Sequence, residues 1–421
     1  MTYKEVLSKI AEYKTVSLKP SLSRISALLK KLNDPQNSLK VIHIAGTNGK
    51  GSVAAQLHAV LLKAGFRTGL FVSPFILDFC ERIQYCGQMI SKEALVQNAI
   101  PVLKAADRLK TEGIPLSQFE VITAIAFLYF KEKQCDYCIL ETGLGGRYDA
   151  TNVIKKPLLT VITKISMDHV GVLGNTIAEI ADEKAGIIKP KVPVVTVQQE
   201  PTAMEIIQKA AKENAAPLKI VSKAETTSVS VGLSGTVFQY NNIEYRLNLL
   251  GLHQVENALL AVTAVNALLP ELSPDIVSAA LKDVCHPARM ELINSDPLVL
   301  LDGAHNPDGA AALAEFLKRI QFKGCVLFGA MKDKDTKEIV RILEDHCETA
   351  VTVTVHDNPR AESAENLCKL FRSVGVRTVA AKDYDEALAF IKGKPLVVCG
   401  SLYLAADLRP ILLERFRHRG S

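Results

Sequence analysis

What this sequence lacks narrows its function before any motif is read. Charge of one sign is scarce: 50 Lys and Arg against 45 Asp and Glu leave only +5 over 421 residues, so nothing argues for a nucleic-acid partner. Long apolar runs are missing too. The longest, Val121 to Phe130, is about half a membrane span, and no membrane partner is expected. No secretion signal is expected at the start, because Lys4, Glu5, Lys9, Glu12 and Lys14 interrupt it. Cysteine pairing is absent as a pattern: the nine cysteines are spread out and odd in number. The one close pair, Cys135 and Cys138, has no second pair to complete a metal site, and Cys138 lies in an apolar run. Free, mostly buried thiols and a cytoplasmic location are expected. The basic stretch Glu414 to Arg419 reads as a solvated end.

What is present belongs to a globular α/β protein. Apolar content of 48% and charged content of 23% are ordinary, and the length predicts two domains. The pivotal stretch runs from Val41 to Ser52. An apolar strand leads into Gly46-Thr47-Asn48-Gly49-Lys50-Gly51-Ser52, and a helix pattern follows through Val53, Leu57, Val60, Leu61 and Ala64 to Gly65. Strand, glycine turn and helix start together make a phosphate site. Backbone N–H groups close on phosphate oxygens, the helix N-terminus adds partial positive charge, and Lys50 adds a full one. Ser52 is placed to touch a metal-bound phosphate. The standard pattern is not fully met: Ile44 stands where its first glycine belongs, and Gly51 separates Lys50 from Ser52. The plain alternative is a tight strand-to-helix turn with a solvated lysine.

Residues 1 to 39 read as two amphipathic helices with a loop near Lys19-Pro20-Ser21. A second strand, Thr68 to Val72, ends at Ser73-Pro74 and aims Ser73 at the sheet edge where α/β sites form. A long apolar helix begins at Phe119-Glu120. The strand Cys138 to Leu140 ends in Glu141, the layout of an acid that holds Mg²⁺ beside phosphates. The following glycines, Gly143, Gly145 and Gly146, permit close backbone approach to a ligand. Leu158 to Thr163 is a strand leading to Asp168-His169, where His169 is a second candidate metal ligand. A helix over Ile177 to Ile188 contains Lys184. Strands near Val192 and Leu218 continue the alternation, and Thr236 to Leu249 breaks it with a hairpin. A boundary near Cys285–Arg289 divides the chain into domains 1–285 and 286–421. In the second domain the strands end at Asp302, Gly329, Val355 and Gly400. It is expected to be a Rossmann-like α/β domain with no glycine fingerprint. One phosphate loop for two domains suggests a site in the cleft between them.

In their order, these motifs resemble the folylpolyglutamate synthase/dihydrofolate synthase family of the Mur ligase superfamily. The resemblance runs through Gly46–Ser52, Ser73-Pro74, Glu81-Arg82-Ile83, Phe119-Glu120, Gly143–Arg147, Asp149–Asn152, Asp168-His169, Glu183–Ile187, Gly251–Gln254 with Asn257, Leu301–Pro307 and Asp333–Asp335. It covers nearly the whole chain. The fold it implies is an N-terminal P-loop ATPase-like domain, with a mostly parallel sheet and a small hairpin region, followed by a C-terminal Rossmann-like glutamate ligase domain. The activity it implies is an ATP-dependent amide ligase: ATP converts a carboxylate to an acyl phosphate, which the amino group of L-glutamate attacks.

By the same resemblance Asn48, Gly49, Lys50, Gly51 and Ser52 meet the ATP phosphates, and Ser73, Glu141 and His169 hold Mg²⁺. Lys184 matches a lysine that is carbamylated in the family. Asn257, Arg289 and Asp302 match residues that reach ATP, and His305 shares the last motif. Lys50, Glu141, His169, Lys184 and His305 are the candidate catalytic set. Arg82, Phe119, Glu120, Asp149 and Ala150 are the candidate substrate contacts, the last four for a pterin. The implied substrates are dihydropteroate or a reduced folate with L-glutamate, and a monomer is expected. Phe75 replaces a common His, Thr142 a common Val, and Ala288 a common Gly; none of these removes a charge that the mechanism needs. Murein peptide ligases share the chemistry but need a further domain ahead of the loop, and only about 45 residues precede it. Two alternatives stay open: an enzyme with the folate-extending activity alone, and a nucleotide-binding interaction module.

Overall fold

The protein is described by a computed structural model covering residues 1–13, 21–169 and 171–417. The loop expected near Lys19-Pro20 and the tip of the basic tail lie outside the described residues. Contacts gather the chain into two units: residues 1–166, 171–222 and 257–280 in one, and 167–169, 223–256 and 281–417 in the other.

The first unit is built on an eight-stranded sheet. Its strands are β1 (Val41–Ala45), β2 (Thr68–Phe71), β3 (Ile83–Tyr85), β4 (Gln88–Met89), β5 (Tyr137–Glu141), β6 (Leu159–Ile162), β7 (Val194–Val197) and β8 (Leu218–Val221). Their order across the sheet is β4-β3-β2-β5-β1-β6-β7-β8. All neighbouring pairs from β2 to β8 are parallel, and β3 and β4 add an antiparallel edge. Strand β1 is fully buried, as a continuous apolar run covered on both faces should be. It sits where the winding reverses, between β5 and β6, and such a switch point opens a crevice at the strands' C-terminal ends.

Helices α1 (Tyr3–Ala11), α2 (Ser23–Lys31), α3 (Lys50–Lys63), α4 (Lys92–Thr111), α5 (Gln118–Glu132), α6 (Ile177–Ala185), α7 (Pro201–Glu213) and α8 (His253–Leu268) follow in chain order. α1, α2, α4 and α5 join Phe71, Phe127 and Phe130 in one core. Each such fully buried side chain contributes about 1.5–3 kcal/mol. Helix starts are set by side chains: Ser117 with Glu120 closes the N-terminus of α5, and Thr176 with Glu179 that of α6.

The second unit carries β9 (Thr227–Gly232), β10 (Gly235–Tyr240) and β11 (Ile243–Leu247) as an antiparallel sheet. The expected hairpin is β10–β11. Strand β9 escapes a pattern search because its Thr-Ser-Val-Ser-Val-Gly face is exposed and mostly polar. A six-stranded sheet follows: β12 (Glu291–Ser295), β13 (Leu298–Leu301), β14 (Gly324–Phe328), β15 (Cys347–Thr352), β16 (Arg377–Ala380) and β17 (Leu396–Cys399), in the order β12-β13-β17-β14-β15-β16. Only β12 runs antiparallel. All nine cysteines are free and six are buried. Among the described residues no helix is long and apolar enough to cross a membrane.

Candidate active site

The glycine loop leaves β1 at Ala45 and enters α3 at Lys50. Gly46 and Gly49 adopt φ of 150° and 89°, a region costly for residues with a Cβ. A side chain at Gly46 would strike the Thr163 hydroxyl, and one at Gly49 would strike the Asn257 amide. The segment after β6 fixes the loop. Thr47 and Asn48 N–H groups donate to the Lys164 carbonyl at 2.8 and 3.3 Å. The Thr163 hydroxyl donates to the Asn48 carbonyl at 2.7 Å, and the Thr47 hydroxyl donates to the Ser166 carbonyl at 3.0 Å. Asn48 also donates from its amide to Ser166 Oγ at 3.4 Å. Lys50, Gly51 and Ser52 form the first turn of α3, whose leading amides have no partner within the helix.

Charge gathers beside this loop because β5 adjoins β1 in register, with Ile44 opposite Glu141. Glu141 is 4% exposed. Its Oε1 lies 4.0 Å from Lys50 Nζ, and its Oε2 accepts from the Ser73 N–H at 3.2 Å. Lys50 also donates to the Thr47 carbonyl at 3.1 Å. A third strand end thus brings the Ser73 backbone to the acid. Lys184, buried in the last turn of α6, donates to the Gly46 carbonyl at 2.9 Å.

The loop after β5 is held from beneath. Asp149 Oδ2 accepts from the Gly143 and Leu144 N–H groups at 2.8 and 3.0 Å. Its Oδ1 accepts from the Thr151 N–H at 3.0 Å and the Thr151 hydroxyl at 2.6 Å. Burial raises the Asp149 pKa and these four bonds oppose that rise. On the Cβ side these glycines pack against the protein itself. A Cβ on Gly146 would lie 2.6 Å from the Glu183 carbonyl oxygen, and the Phe119 ring stands against Gly143. The Arg147 N–H donates to that same Glu183 carbonyl at 2.7 Å.

The other candidate substrate contacts are divided. Ala150 is buried at the head of a 3-10 turn, Ala150–Val153. The Glu120 carboxylate serves the cap of α5, accepting from the Ser117 N–H at 2.7 Å, with Arg24 at 3.3 Å. Arg82 lies over the rings of Phe75 and Phe79, 5.2 and 5.9 Å from their centroids. Leu144 and Tyr148, in the loop after β5, are exposed.

In the second unit, Asp302 follows β13 and is buried. It accepts from the Met290 and Ala304 N–H groups at 2.7 and 2.8 Å. Burial raises its pKa and the Arg289 charge opposes this. His305 donates from Nδ1 to the Gly303 carbonyl at 2.8 Å, and burial pushes its pKa down to about 4. Asp168 forms a buried pair with Lys334 at 2.6 Å and accepts from the Asn306 amide at 3.3 Å. Burial disfavours the Asp168 charge, but the His169 ring and the Lys334 ammonium outweigh it and hold the pKa below the usual carboxylate range. His169 is 3.8 Å from Asp168, with φ of 51°. Sequence reasoning missed the roles of Thr47, Thr163 and Ser166 in fixing the loop, since each depends on β6 lying beside β1. The Asp168–Lys334 pair was signalled only by the motifs that contain it.

A phosphate loop on a switch-point strand, with an acid on the adjoining strand and two lysines about it, describes a nucleotide-phosphate site. Residues 44–265 match the Mur ligase middle domain, and residues 288–401 match the Mur ligase glutamate ligase domain. The chain is 38% identical to the dihydrofolate synthase/folylpolyglutamate synthase of Bacillus subtilis, across 97% of this chain and 98% of that protein. Its fold matches a Mycobacterium tuberculosis folylpolyglutamate synthase complexed with ADP, with a TM-score of 0.87 at 34% identity, covering 97% and 98% of the two chains. It also matches E. coli FolC in complex with DHPP and ADP, with a TM-score of 0.85 at 28% identity, covering 99% and 98%. The chain belongs to the Mur ligase family of ATP-dependent amide-forming ligases, in its folylpolyglutamate synthase/dihydrofolate synthase branch.

Proposed function

We propose that the protein joins L-glutamate in amide linkage both to dihydropteroate and to reduced folates, with ATP cleaved to ADP and phosphate. The observation that carries this reading is the meeting of Lys50, Glu141 and the Ser73 backbone beside the glycine loop. A carboxylate is a poor acyl donor because oxide is a poor leaving group. Transfer of the γ-phosphoryl to it gives an acyl phosphate, the glutamate amine attacks the carbonyl carbon, and phosphate departs. Lys50 stabilises negative charge on the phosphoryl oxygens during transfer, and the amides of Gly49 to Ser52 hold the remaining phosphates in line. Asn257, Arg289 and Asp302 are proposed contacts to the nucleotide, and His305 a further polar group of the site.

Mg²⁺ suits the donors present. Glu141 and the Ser73 hydroxyl are hard oxygen ligands, with His169 proposed as a third. Among the described residues no group of three His, Cys, Asp or Glu side chains forms a protein cage for a metal. That fits an ion which keeps waters and takes phosphate oxygens. When bound, Mg²⁺ would neutralise phosphate charge and orient the γ-phosphoryl. Lys184, as a carbamate, is the proposed anionic partner of a second metal ion. The protein is proposed to act as a monomer in the cytoplasm, and light scattering of the purified chain checks the first point.

The test is a product assay by mass spectrometry, with Mg-ATP and L-glutamate supplied beside dihydropteroate or tetrahydrofolate. Product from both supports the bifunctional reading. Product from tetrahydrofolate alone leaves a dedicated folate-extending enzyme, the reading favoured if the inward-turned Asp149 carboxylate takes no part in pterin binding. ATP binding without product from either overturns the enzyme reading.

A further inference from the structure

One buried titratable group near the site is unused by the mechanism. His43 lies in the middle of β1, paired in register with Leu140 and Thr160, and is wholly buried. An imidazole in a central strand loses its hydration, so its polar atoms need partners to offset that cost. Nε2 has one: Thr151 Oγ1, at 2.8 Å. Nδ1 has none.

The direction of the bond follows from what lies beyond it. The Thr151 hydroxyl owns a single proton and donates it to Asp149 Oδ1 at 2.6 Å. Thr151 Oγ1 can therefore only accept from His43, and the ring must carry its proton on Nε2. Bare Nδ1 agrees with that tautomer. The ring is neutral: burial pushes its pKa down to about 3, and the Lys189 charge adds to the effect. The opposite oxygen of Asp149 receives the Gly143 and Leu144 amides.

We propose that His43 is a positioning residue for the substrate loop: its Nε2–H orients the Thr151 hydroxyl onto Asp149, and Asp149 holds the Gly143–Leu144 backbone at the height the pterin end of the substrate needs. The inference rests on the reading of this loop as the pterin side of the folate site. It connects the strand that feeds the nucleotide loop to the loop that would seat the second substrate, without touching either ligand.

The full-length chain tests it. In His43→Leu, the KM for dihydropteroate rises about tenfold while the KM for ATP stays within about twofold, the size expected when one buried polar contact is lost. His43→Gln, whose amide can offer an N–H near the Nε2 position, returns the dihydropteroate KM to within about threefold of wild type. Equal rises in both KM values, or no recovery in the Gln variant, overturn the proposal and leave His43 a packing residue. Asp149→Asn separates the two levels of the argument. If it raises the dihydropteroate KM and His43→Leu does not, the loop reading stands and the relay falls. If neither variant changes that KM, the loop reading falls and takes the relay with it. Should the variants fail to fold, neutron crystallography of the wild-type chain decides: hydrogen on Nε2 supports the relay, and hydrogen on Nδ1 overturns it.

Discussion

Lys184 Nζ donates to the Gly46 carbonyl at 2.9 Å, so the last turn of α6 holds the first residue of the nucleotide loop. In the uncarbamylated side chain this is a charged donor on a buried carbonyl, among the stronger hydrogen bonds, about 1.5–3 kcal/mol. Lys184→Met keeps the length of the stem but removes the donor. The KM for ATP should rise about tenfold or more, with stability lower by about 2 kcal/mol. Steady-state kinetics beside urea unfolding would check both, and an unchanged ATP KM would remove Lys184 from the nucleotide site.

Lys50→Ala and Glu141→Ala should each abolish synthesis, with a loss of at least about a hundredfold in kcat. Neither is a large apolar core residue, so the melting midpoint should stay within about 3 °C. A variant that keeps near-normal turnover and the same metal dependence would show that the phosphoryl group lies elsewhere.

Asp149→Ala is expected to damage more than substrate binding. It strips an acceptor from the Gly143, Leu144 and Thr151 amides and from the Thr151 hydroxyl. Leaving such groups buried and unpaired costs about 1–3 kcal/mol each before the loop relaxes. Unfolding midpoints should fall, and the dihydropteroate reaction should suffer more than folate extension. Equal loss in both reactions would mean the loop serves their shared steps.

Acid should weaken the first unit through two histidines. Burial pushes His43 down to about 3 and His58 down to about 4, and His58 Nε2 accepts from the Gly87 N–H at 3.0 Å, which requires it bare. Both folded values lie below the unfolded one of about 6.5. The unfolded chain therefore binds more protons, and this stability is present above about pH 6.5 and lost as pH falls toward 3–4. Each histidine contributes up to about 1.4 kcal/mol per pH unit in that window. Urea unfolding between pH 7.5 and 4.5 should show the slope, and His58→Leu should flatten it. A slope unchanged in that variant would mean His58 is protonated in the native chain.

Much of this architecture was legible. Strands β1, β5 and β6 announce themselves as apolar runs closed by polar residues. Lys50 and Glu141 could be related on paper because Glu141 ends one buried strand and Lys50 follows another across the glycine loop. The direction in which a side chain is spent was not legible. The resemblance makes Asp149 a substrate contact, and only the fold shows that its oxygens also hold its own loop. That Gly146 lies against the Glu183 carbonyl was not legible either. His43 and Thr151 are neighbours only through the fold. Strand β9 hid because its exposed polar face carries no apolar alternation.

The central place of β1 bears on how the chain is made. Both its sheet neighbours, β5 and β6, are encoded far downstream of it. During synthesis, the glycine loop therefore leaves the ribosome well before the strands that shape it. Until Thr163 and Lys164 have emerged, the Thr47 and Asn48 amides lack the carbonyl that fixes them. Long-range pairing of this kind forms late, so a nascent chain should gain nucleotide affinity only after β6 is free to dock, and a truncated product ending before it should have none.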